Sequence, residues 1–415
     1  MFVRRLLQIQ IQPRLQSRVQ LQTQLQPQVQ IQLRRGLLTS PPLVHQPPRP
    51  HAQLHRQLLH TSPSQPKASS PYLHPDPSPQ PPHPLTLDHP FPTPPPADNY
   101  HTLSFYSFFP IPATETTKLR DELQKEWTDK LRILGRIYVC EQGINAQISV
   151  PVENTAALRQ WLENHRLLCG RIPRFNWAIE QRRAFSALHV RVRPLVATGC
   201  PVTLDELGHE PEYLDPAQWD RELQQNEGTQ QQQQPLLIDM RNSYEFRIGK
   251  FTGAICPDVD TFREEMDAVR EICTDKEKPI YMYCTGGIRC SVAGALLKAE
   301  GYKSVKTLRG GVIAYGHHVR QPTEQSDAKQ SLFRGKNFTF DKRLGEEVTE
   351  EVLAHCDQCG SPCDTFTNCA NRSCNLLFIQ CPACALKHQN TCGTSLCLER
   401  SKMTHEELIK NRMPA

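Results

Sequence analysis

The sequence predicts a multidomain α/β and α+β chain that ends in a small cysteine-rich segment. Between Leu103 and Pro194 the pattern runs strand, helix, strand, strand, helix, strand, which is typical of an α+β domain. From Tyr213 to Gln330 short apolar strands alternate with helical patterns, which indicates a parallel sheet covered by helices. Nine of the 16 cysteines lie between Cys356 and Cys397, a density typical of metal binding.

Length, hydropathy and charge narrow the class of protein. The 415 residues are enough for two or three domains. No apolar run approaches the roughly 18 residues of a membrane-spanning helix, so no membrane partner is predicted. The formal net charge of +5 is unevenly placed, because nine Arg or Lys residues and no acid precede Asp76, which leaves 39 bases against 43 acids in the remainder. The overall charge therefore gives no argument for nucleic-acid binding.

The amino-terminal quarter differs in composition from the rest. Residues 1–40 are rich in Gln and Leu, carry arginines and lack acids, which predicts a mitochondrial presequence; the alternative is a Gln-rich tail on a cytoplasmic protein. Residues 41–99 contain 19 of the 36 prolines and are predicted to be a disordered, extended linker. Domains are predicted over residues 100–200, 201–330 and 331–400, with a tail over 401–415.

The first predicted domain has the split βαβ order of a ferredoxin-like, or acylphosphatase-like, fold. Its predicted strands are Ser104–Phe109, Arg136–Cys140, Ile144–Val150 and Ala187–Arg193, and its predicted helices are Glu115–Leu134 and Val152–His165. From Leu103 to Pro194 there are 14 bases and 9 acids, so this domain is the best candidate for holding a polyanion, although such a run is also typical of a solvated face. The candidate RNA-binding residues are Arg171, Arg174, Arg182, Arg183, Arg191 and Arg193.

The second predicted domain carries the strongest chemical motif. Its predicted strands are Leu236–Met240, Ile280–Cys284 and Val305–Leu308, and its predicted helices are Pro216–Gln224, Thr261–Cys273 and Ser291–Glu300. Cys284 thus stands where an apolar strand ends and a helix follows. Backbone N–H groups of such a turn, the helix N-terminus and Arg289 all favour a negative charge on sulfur. Cys284 and Arg289 are therefore predicted to be catalytic; an inert buried thiol is the alternative.

The active-site loop is predicted to consist of Thr285, Gly286, Gly287, Ile288 and Cys290 around these two residues. The paired glycines let the backbone fold back over the sulfur. Cys290 has two open interpretations: it resolves a persulfide or disulfide formed at Cys284, or it faces the core.

The cysteine-rich segment contains two Cys-x2-Cys pairs, Cys356 with Cys359 and Cys381 with Cys384, separated by 21 residues. This spacing is typical of a tetrahedral zinc site. A second site is predicted from Cys369, Cys374, Cys392 and Cys397, so one or two zinc ions are expected. A disulfide-linked or redox-active cluster and an iron–sulfur cluster are the alternatives.

Several segments, in order, resemble one protein family. Leu237–Phe246, the Cys284 loop and Leu308–Gly311 resemble a rhodanese domain, and the Cys-x4-Arg length is the one that rhodaneses use to hold a sulfane sulfur. Phe105–Phe108, Glu141–Asn145 and Phe338–Arg343 narrow the resemblance to the rhodanese-domain tRNA uridine(34) hydroxylases.

The resemblance implies an enzyme that converts the wobble uridine of tRNA to 5-hydroxyuridine, with molecular oxygen as co-substrate, the anticodon region of tRNA as partner and Cys284 as the essential cysteine. Asp239 and Arg241 are expected to support the loop. The alternative function is a sulfurtransferase, in which Cys284 carries a persulfide from a small donor such as thiosulfate to a thiol acceptor.

Overall fold

The computed structural model describes residues 98–195, 197, 201–226, 234–320, 331–403 and 407. The presequence prediction and nearly all of the linker prediction lie outside these residues. The chain divides into two units at residues 75 and 76, and everything described below belongs to the second unit. Within the described ranges, none of the helices combines the length and hydropathy that crossing a bilayer would need.

The first domain is a five-stranded sheet with two helices. The strands are β1 (Tyr100–Phe108), β2 (Leu134–Cys140), β3 (Gly143–Pro151), β4 (Asn176–Trp177) and β5 (Leu188–Val192), and the helices are α1 (Ala113–Asp129) and α2 (Thr155–Asn164). The strand order is β4-β1-β3-β2-β5. Because β3 lies antiparallel between β1 and β2, the predicted split βαβ arrangement is confirmed.

The domain's core explains why α1 forms. Leu119, Leu123 and Trp127 recur every four residues, so they share one face of the helix, and all three are fully buried. They belong to one apolar cluster with alternate residues of β3, such as Ile144 and Ile148.

The last strand of this sheet differs from the prediction. The segment predicted as Ala187–Arg193 forms β5, which pairs in parallel with β2. The position beside β1 is taken by the two-residue strand β4, which pairs through Leu103 with Trp177. Two residues carry no alternating pattern, and Asn176 is a poor strand former, so no sequence signal marked β4.

The second domain has a parallel sheet with helices around it. Its strands are β6 (Glu212–Leu214), β7 (Leu236–Asp239), β8 (Gly249–Phe251), β9 (Ile280–Tyr283) and β10 (Val305–Leu308). Its helices are α3 (Leu204–Leu207), α4 (Pro216–Asn226), α5 (Ser243–Ile248), α6 (Phe262–Ile272), α7 (Ile288–Ala299) and α8 (Gly311–Arg320). All strands except β8 form one sheet in the order β6-β10-β9-β7.

The strand β9 lies inside this sheet between β10 and β7 and is buried throughout. Its apolar side chains therefore face helices on both sides, as in parallel α/β sheets generally. Its carboxyl end delivers Cys284 to the edge where such sheets place their sites.

The third segment is joined to the second domain by a shared sheet. It contains β11 (Phe333–Asn337), β12 (Glu346–Glu347), β13 (Phe366–Asn368), β14 (Leu377–Ile379), α9 (Pro382–Lys387) and α10 (Ser395–Arg400). The strand β11 pairs with β8, with Phe333 opposite Phe251. Both rings are buried and pack edge to face 5.2 Å apart.

Arg343 connects the third segment with the first domain. Its guanidinium forms ion pairs with Asp341 and Glu346 and donates to the backbone carbonyl of Glu180 at 3.1 Å. Glu346 in turn accepts the backbone N–H of Glu180 at 3.1 Å. This network therefore fixes the segment that follows β4 against the carboxyl-terminal segment.

Candidate active site

The loop after β9 curls its backbone around the Cys284 sulfur. The Gly287 N–H donates to Sγ at 3.2 Å, and Gly287 has a φ of 99°, a conformation that favours glycine. A Cβ on Gly287 would also stand 3.0 Å from the Tyr106 hydroxyl. Both constraints require glycine at this position.

The first turn of α8 forms backbone hydrogen bonds to the Cys284 loop. The N–H groups of Val312 and Ile313 donate to the carbonyls of Cys284 and Thr285 at 3.0 and 3.1 Å. A Cβ on Gly311 would lie 2.4 Å from the Cys284 carbonyl oxygen, so this close approach also needs glycine. The loop is thus held in place before any substrate arrives.

Cys284 is held as a thiolate. Burial raises the pKa of its thiol, but a hydrogen bond from the Cys290 thiol, the charge of Arg289, and the Cys290 and Gly287 amides outweigh burial and lower the pKa to about 6. Burial and the adjacent Cys284 raise the pKa of Cys290 well above its usual value, so Cys290 stays protonated as the donor. Cys290 is fully buried in the core of the second domain, and its thiol contacts that of Cys284. Its role in resolving a persulfide or disulfide stays a prediction.

Arg289 is held by Glu245, which the sequence analysis did not single out. The guanidinium Nη1 and Nη2 lie 2.9 and 3.1 Å from the two Glu245 carboxylate oxygens, and the Thr285 hydroxyl donates to the same carboxylate at 2.9 Å. Glu245 is fully buried. Burial raises its pKa, but the charge and hydrogen bonds of Arg289 outweigh that effect and lower it.

The signal for Glu245 in the sequence points to a structural role. Its carboxylate also accepts the backbone N–H of Asn242 at 3.0 Å, which completes a capping box at the start of α5. A capping-box glutamate needs no active site to explain it, so the pattern alone does not reveal the contact with Arg289.

Asp239 and Arg241 form a buried brace beside the site. Arg241 Nε and Nη2 lie 2.9 and 2.7 Å from the Asp239 carboxylate, and Nη2 also donates to the Gly249 carbonyl at 2.6 Å. Both side chains are completely buried. The pair therefore ties β7 to β8, and the supporting role expected of it stays a prediction.

The first domain covers the Cys284 loop. The Tyr106 hydroxyl on β1 lies 2.9 Å from Ser291 Oγ, and the Asn176 amide on β4 donates to the Gly310 carbonyl at 2.9 Å. A Cβ on Gly286 would lie 3.6 Å from Asn176 Nδ2 and 3.9 Å from Ser104 Oγ. Cys284 is 1% exposed beneath this cover. The site is therefore built from two domains.

Family models match most of the described chain. A UPF0176 acylphosphatase-like domain matches residues 100–196, a rhodanese-like domain matches 220–318, and a rhodanase C-terminal model matches 334–398. The tRNA uridine(34) hydroxylase of Enterobacter sp. (strain 638) is 40% identical over 314 residues, which is 75% of this chain and 85% of that protein. The Escherichia fergusonii protein of the same name is 41% identical over 74% of this chain and 83% of its own.

The chain belongs to the tRNA uridine(34) hydroxylase family. The predicted fold class is confirmed with it, as an acylphosphatase-like domain, a rhodanese domain and a cysteine-rich segment. Among solved structures, the rhodanese-like domain of an Anabaena protein is 22% identical, covers 29% of this chain and 92% of its own, and has a TM-score of 0.22.

In this tRNA uridine(34) hydroxylase family member, the six arginines predicted to contact RNA separate into two groups. Arg171, Arg174, Arg182 and Arg183 flank β4, whereas Arg191 and Arg193 lie on or just after β5. The two strands are opposite edges of the sheet, roughly 19 Å apart at about 4.8 Å per strand. Arg174 lies beside the turn before α8, because its Nη2 lies 3.4 Å from where a Cβ on Gly310 would stand. The RNA-binding role of the six arginines stays a prediction.

The eight predicted metal ligands form two groups of four sulfurs. One group is Cys356, Cys359, Cys381 and Cys384, and the other is Cys369, Cys374, Cys392 and Cys397. The ligand atoms of each group all lie within 4.8 Å of one another. Tetrahedral zinc with bonds of about 2.3 Å places sulfurs roughly 3.8 Å apart, and Cys359 Sγ lies 3.6 Å from Cys381 Sγ. Both groups can thus hold a metal of this geometry.

Proposed function

We propose that this chain hydroxylates carbon 5 of the wobble uridine of tRNA, with Cys284 as nucleophile and Arg289 as the residue that keeps it ionised. The observation that carries the proposal is the Cys284 thiolate, with a pKa of about 6, held at the junction of two domains. Relatives 40% identical bear the name tRNA uridine(34) hydroxylase. The alternative function, sulfur transfer from a donor such as thiosulfate, is supported only by a distant relation to rhodaneses.

The chemistry follows from the thiolate. Carbon 6 of uracil is conjugated to the carbonyl at carbon 4, so it accepts a thiolate. As the S–C6 bond forms, the electron pair of the C5–C6 double bond moves onto C5 and the C4 carbonyl, and C5 becomes nucleophilic toward oxygen. Molecular oxygen is the co-substrate, and an external two-electron reductant completes the balance, with the second oxygen atom leaving as water. Loss of the thiolate from C6 then restores the ring and the enzyme.

The Phe340 ring suits a base that has been extruded from the RNA stack. The Phe340 ring is 38% exposed and lies 5.7 Å from the Arg289 guanidinium, so one side of the site offers an aromatic face. Single-stranded RNA bases stack on such rings. Because Cys284 is covered, the base must be extruded and the cover must yield to admit it.

The function is tested by the nucleosides of cellular tRNA. Cells that lack this chain are expected to lose 5-hydroxyuridine and the nucleosides derived from it, and re-expression of the wild-type chain is expected to restore them. Mass spectrometry of digested tRNA measures both. A nucleoside profile unchanged by the loss would contradict the proposal, and sulfur transfer from thiosulfate to cyanide would then be measured as the competing function of the same Cys284.

Charge reversal at Arg174 is expected to weaken tRNA binding. Arg174 stands beside Gly310 in the turn before α8, which packs on the Cys284 loop. A lost phosphate contact reduces the slope of log affinity against log salt concentration by about 1. We expect Arg174→Glu to bind tRNA about 10-fold more weakly near physiological salt. Arg191→Glu, on the opposite edge of the same sheet, is the matched control and is expected to bind normally. Equal losses in both variants would show that the arginines act only through overall charge.

We propose that both four-cysteine groups bind zinc, which would crosslink a segment with little apolar core of its own. Backbone N–H groups already point at the sulfurs, as from Cys381 to Cys356 Sγ at 3.3 Å and from Cys392 to Cys369 Sγ at 3.4 Å. Elemental analysis is expected to find two zinc ions per chain and one in Cys359→Ser. Cys363→Ser, outside both groups, is expected to keep two. Iron in place of zinc, or a loss in Cys363→Ser, would contradict this assignment.

Mitochondrial import is inferred from residues 1–40 alone, which lie outside the described residues. The compared relatives are bacterial proteins and add nothing to this inference.

A further inference from the structure

Glu265 is a carboxylic acid in the first turn of α6, on the buried face of that helix. It shares the face with Phe262 and Met266, which belong to the same apolar core as Cys284 and Cys290. Glu265 is 7% exposed, and within the described part of the chain its Oε1 atom has no hydrogen-bond partner. An unpaired polar group in a core destabilises the fold, so stability alone does not explain a glutamate at this position.

The groups around the Glu265 carboxyl include more acids than bases. The titratable groups that interact with it electrostatically are Asp239, Glu245, Cys256, Cys284, Arg289 and Cys290. Arg289 forms its ion pair with Glu245, so its charge is already balanced. Burial and the nearby anions outweigh Arg289 and raise the pKa of Glu265 to about 8. Glu265 therefore carries a proton at neutral pH, when Cys284 is a thiolate.

The charge on Cys284 controls how firmly Glu265 holds its proton. The thiolate is one of the anions that raise the pKa of Glu265. When the sulfur bonds to carbon 6 of uracil it gives up that charge, so the pKa of Glu265 falls and its proton passes to water. The carboxylate is thus formed at the stage when the base is covalently attached. When the thiolate leaves, the charge returns and protonation of Glu265 is favoured again.

The proposed chemistry requires a base at one further step. Once carbon 5 bears the new hydroxyl, the thiolate leaves carbon 6 only as carbon 5 loses its original hydrogen as a proton. We propose that Glu265 is the general base that takes this proton. The C5–H electron pair forms the C5–C6 double bond, the S–C6 pair returns to Cys284 as a thiolate, and Glu265 becomes a neutral acid again. This inference rests on the proposed function and adds a catalytic residue to it.

The proton transfer is measured without oxygen or reductant. A solvent deuteron then takes the place of oxygen at carbon 5, and removal of the original hydrogen leaves deuterium in the uridine. The full-length chain is incubated in deuterium oxide with an anticodon stem-loop that has uridine at the wobble position, and mass spectrometry of the digested RNA measures the deuterium. We expect the wild-type chain to introduce deuterium at carbon 5, and Glu265→Gln to do so at least about 100-fold more slowly.

Three variants separate proton transfer from folding. Glutamine matches the protonated acid in size and charge, so Glu265→Gln is expected to bind the stem-loop as the wild-type chain does. Glu265→Asp keeps a carboxylate and is expected to exchange hydrogen faster than Glu265→Gln. Glu271→Gln removes an exposed carboxylate from the same helix and is expected to keep the exchange rate within about 3-fold.

A second readout appears only in a folded variant. In cells, where oxygen and a reductant are present, Glu265→Gln is expected to add the hydroxyl but to release the base slowly. The tRNA then stays bonded to Cys284 and is recovered with the protein as a covalent complex under denaturing conditions. Adding Cys284→Ser to this variant is expected to abolish the complex. A Glu265→Gln chain that binds tRNA but yields no complex would contradict the assignment.

Exchange at the wild-type rate in Glu265→Gln, or equal rates in the glutamine and aspartate variants, would overturn the assignment of the base. A wild-type chain that forms 5-hydroxyuridine but exchanges no deuterium would also overturn it and leave the proposed function standing. Exchange that depends on both Cys284 and Glu265, in a chain that forms no 5-hydroxyuridine, would overturn the proposed function and leave the assignment standing.

Discussion

Replacing Cys284 with serine is expected to reduce formation of 5-hydroxyuridine in tRNA by at least about 1,000-fold. The thiol ionises because its pKa is about 6, and a serine hydroxyl in the same cup stays protonated near neutral pH. The substitution replaces only sulfur by oxygen, and the oxygen can still accept the hydrogen bond from the Gly287 amide, so the fold is expected to persist. Quantitative mass spectrometry of tRNA from cells that express only the variant measures the loss.

Cys256 provides the matched control. Its thiol donates to the backbone carbonyl of Arg241 at 3.3 Å, and burial and nearby acids raise its pKa to about 12. Cys256→Ser is therefore expected to retain activity within about 3-fold. Similar losses in the two variants would show that activity depends on thiols in general or on stability, and that Cys284 has no special role.

Replacing Glu245 with glutamine is expected to lower the free energy of unfolding by about 3–5 kcal/mol. The change removes the charge that Arg289 and Thr285 contact, and it leaves a guanidinium that is only 13% exposed without its carboxylate. Arg289 then becomes free to move from its place beside Cys284, so activity is expected to fall more than 10-fold as well. Chemical denaturation measures the stability, and the nucleoside assay measures the activity.

Glu163→Gln, on the exposed face of α2, is the control for loss of one carboxylate and is expected to change stability by less than about 0.5 kcal/mol. If Glu245→Gln were equally neutral, the ion pair with Arg289 would contribute little, and another group would have to hold the arginine.

The parts of the chain with strong local patterns were predictable. The strands β7 and β9 are short, mostly apolar runs that follow a proline, and β10 begins and ends with an apolar residue. The structure places all three within one residue of the predicted bounds. One four-cysteine group combines the two Cys-x2-Cys pairs, and the other combines the four cysteines predicted as a second site. In both cases the signal is local: a buried strand needs apolar residues in succession, and a metal site needs paired ligands only a few residues apart.

The parts that depend on distant contacts were not predictable. The strand β4 forms through its pairing with β1, which is distant in sequence. Glu245 is a site residue only because the fold places α5 beside Arg289. The helix α7 begins at Ile288, three residues before the predicted start, because the left-handed Gly287 turns the chain directly into it. The arginines separate because β5 joins the far edge of the sheet, a pairing with no signal in local composition.

The proposed chemistry depends most on the ionisation of the Cys284 sulfur. The difference in ultraviolet thiolate absorbance between the wild-type chain and Cys284→Ser isolates that sulfur from the other cysteines and from bound metal. Since the pKa of Cys284 is lowered, the thiolate is expected to persist as the pH falls from 9 and to disappear with a midpoint near 6. A midpoint at or above the ordinary thiol value of 9.0 would contradict the account, because Cys284 would then be a neutral buried thiol at physiological pH.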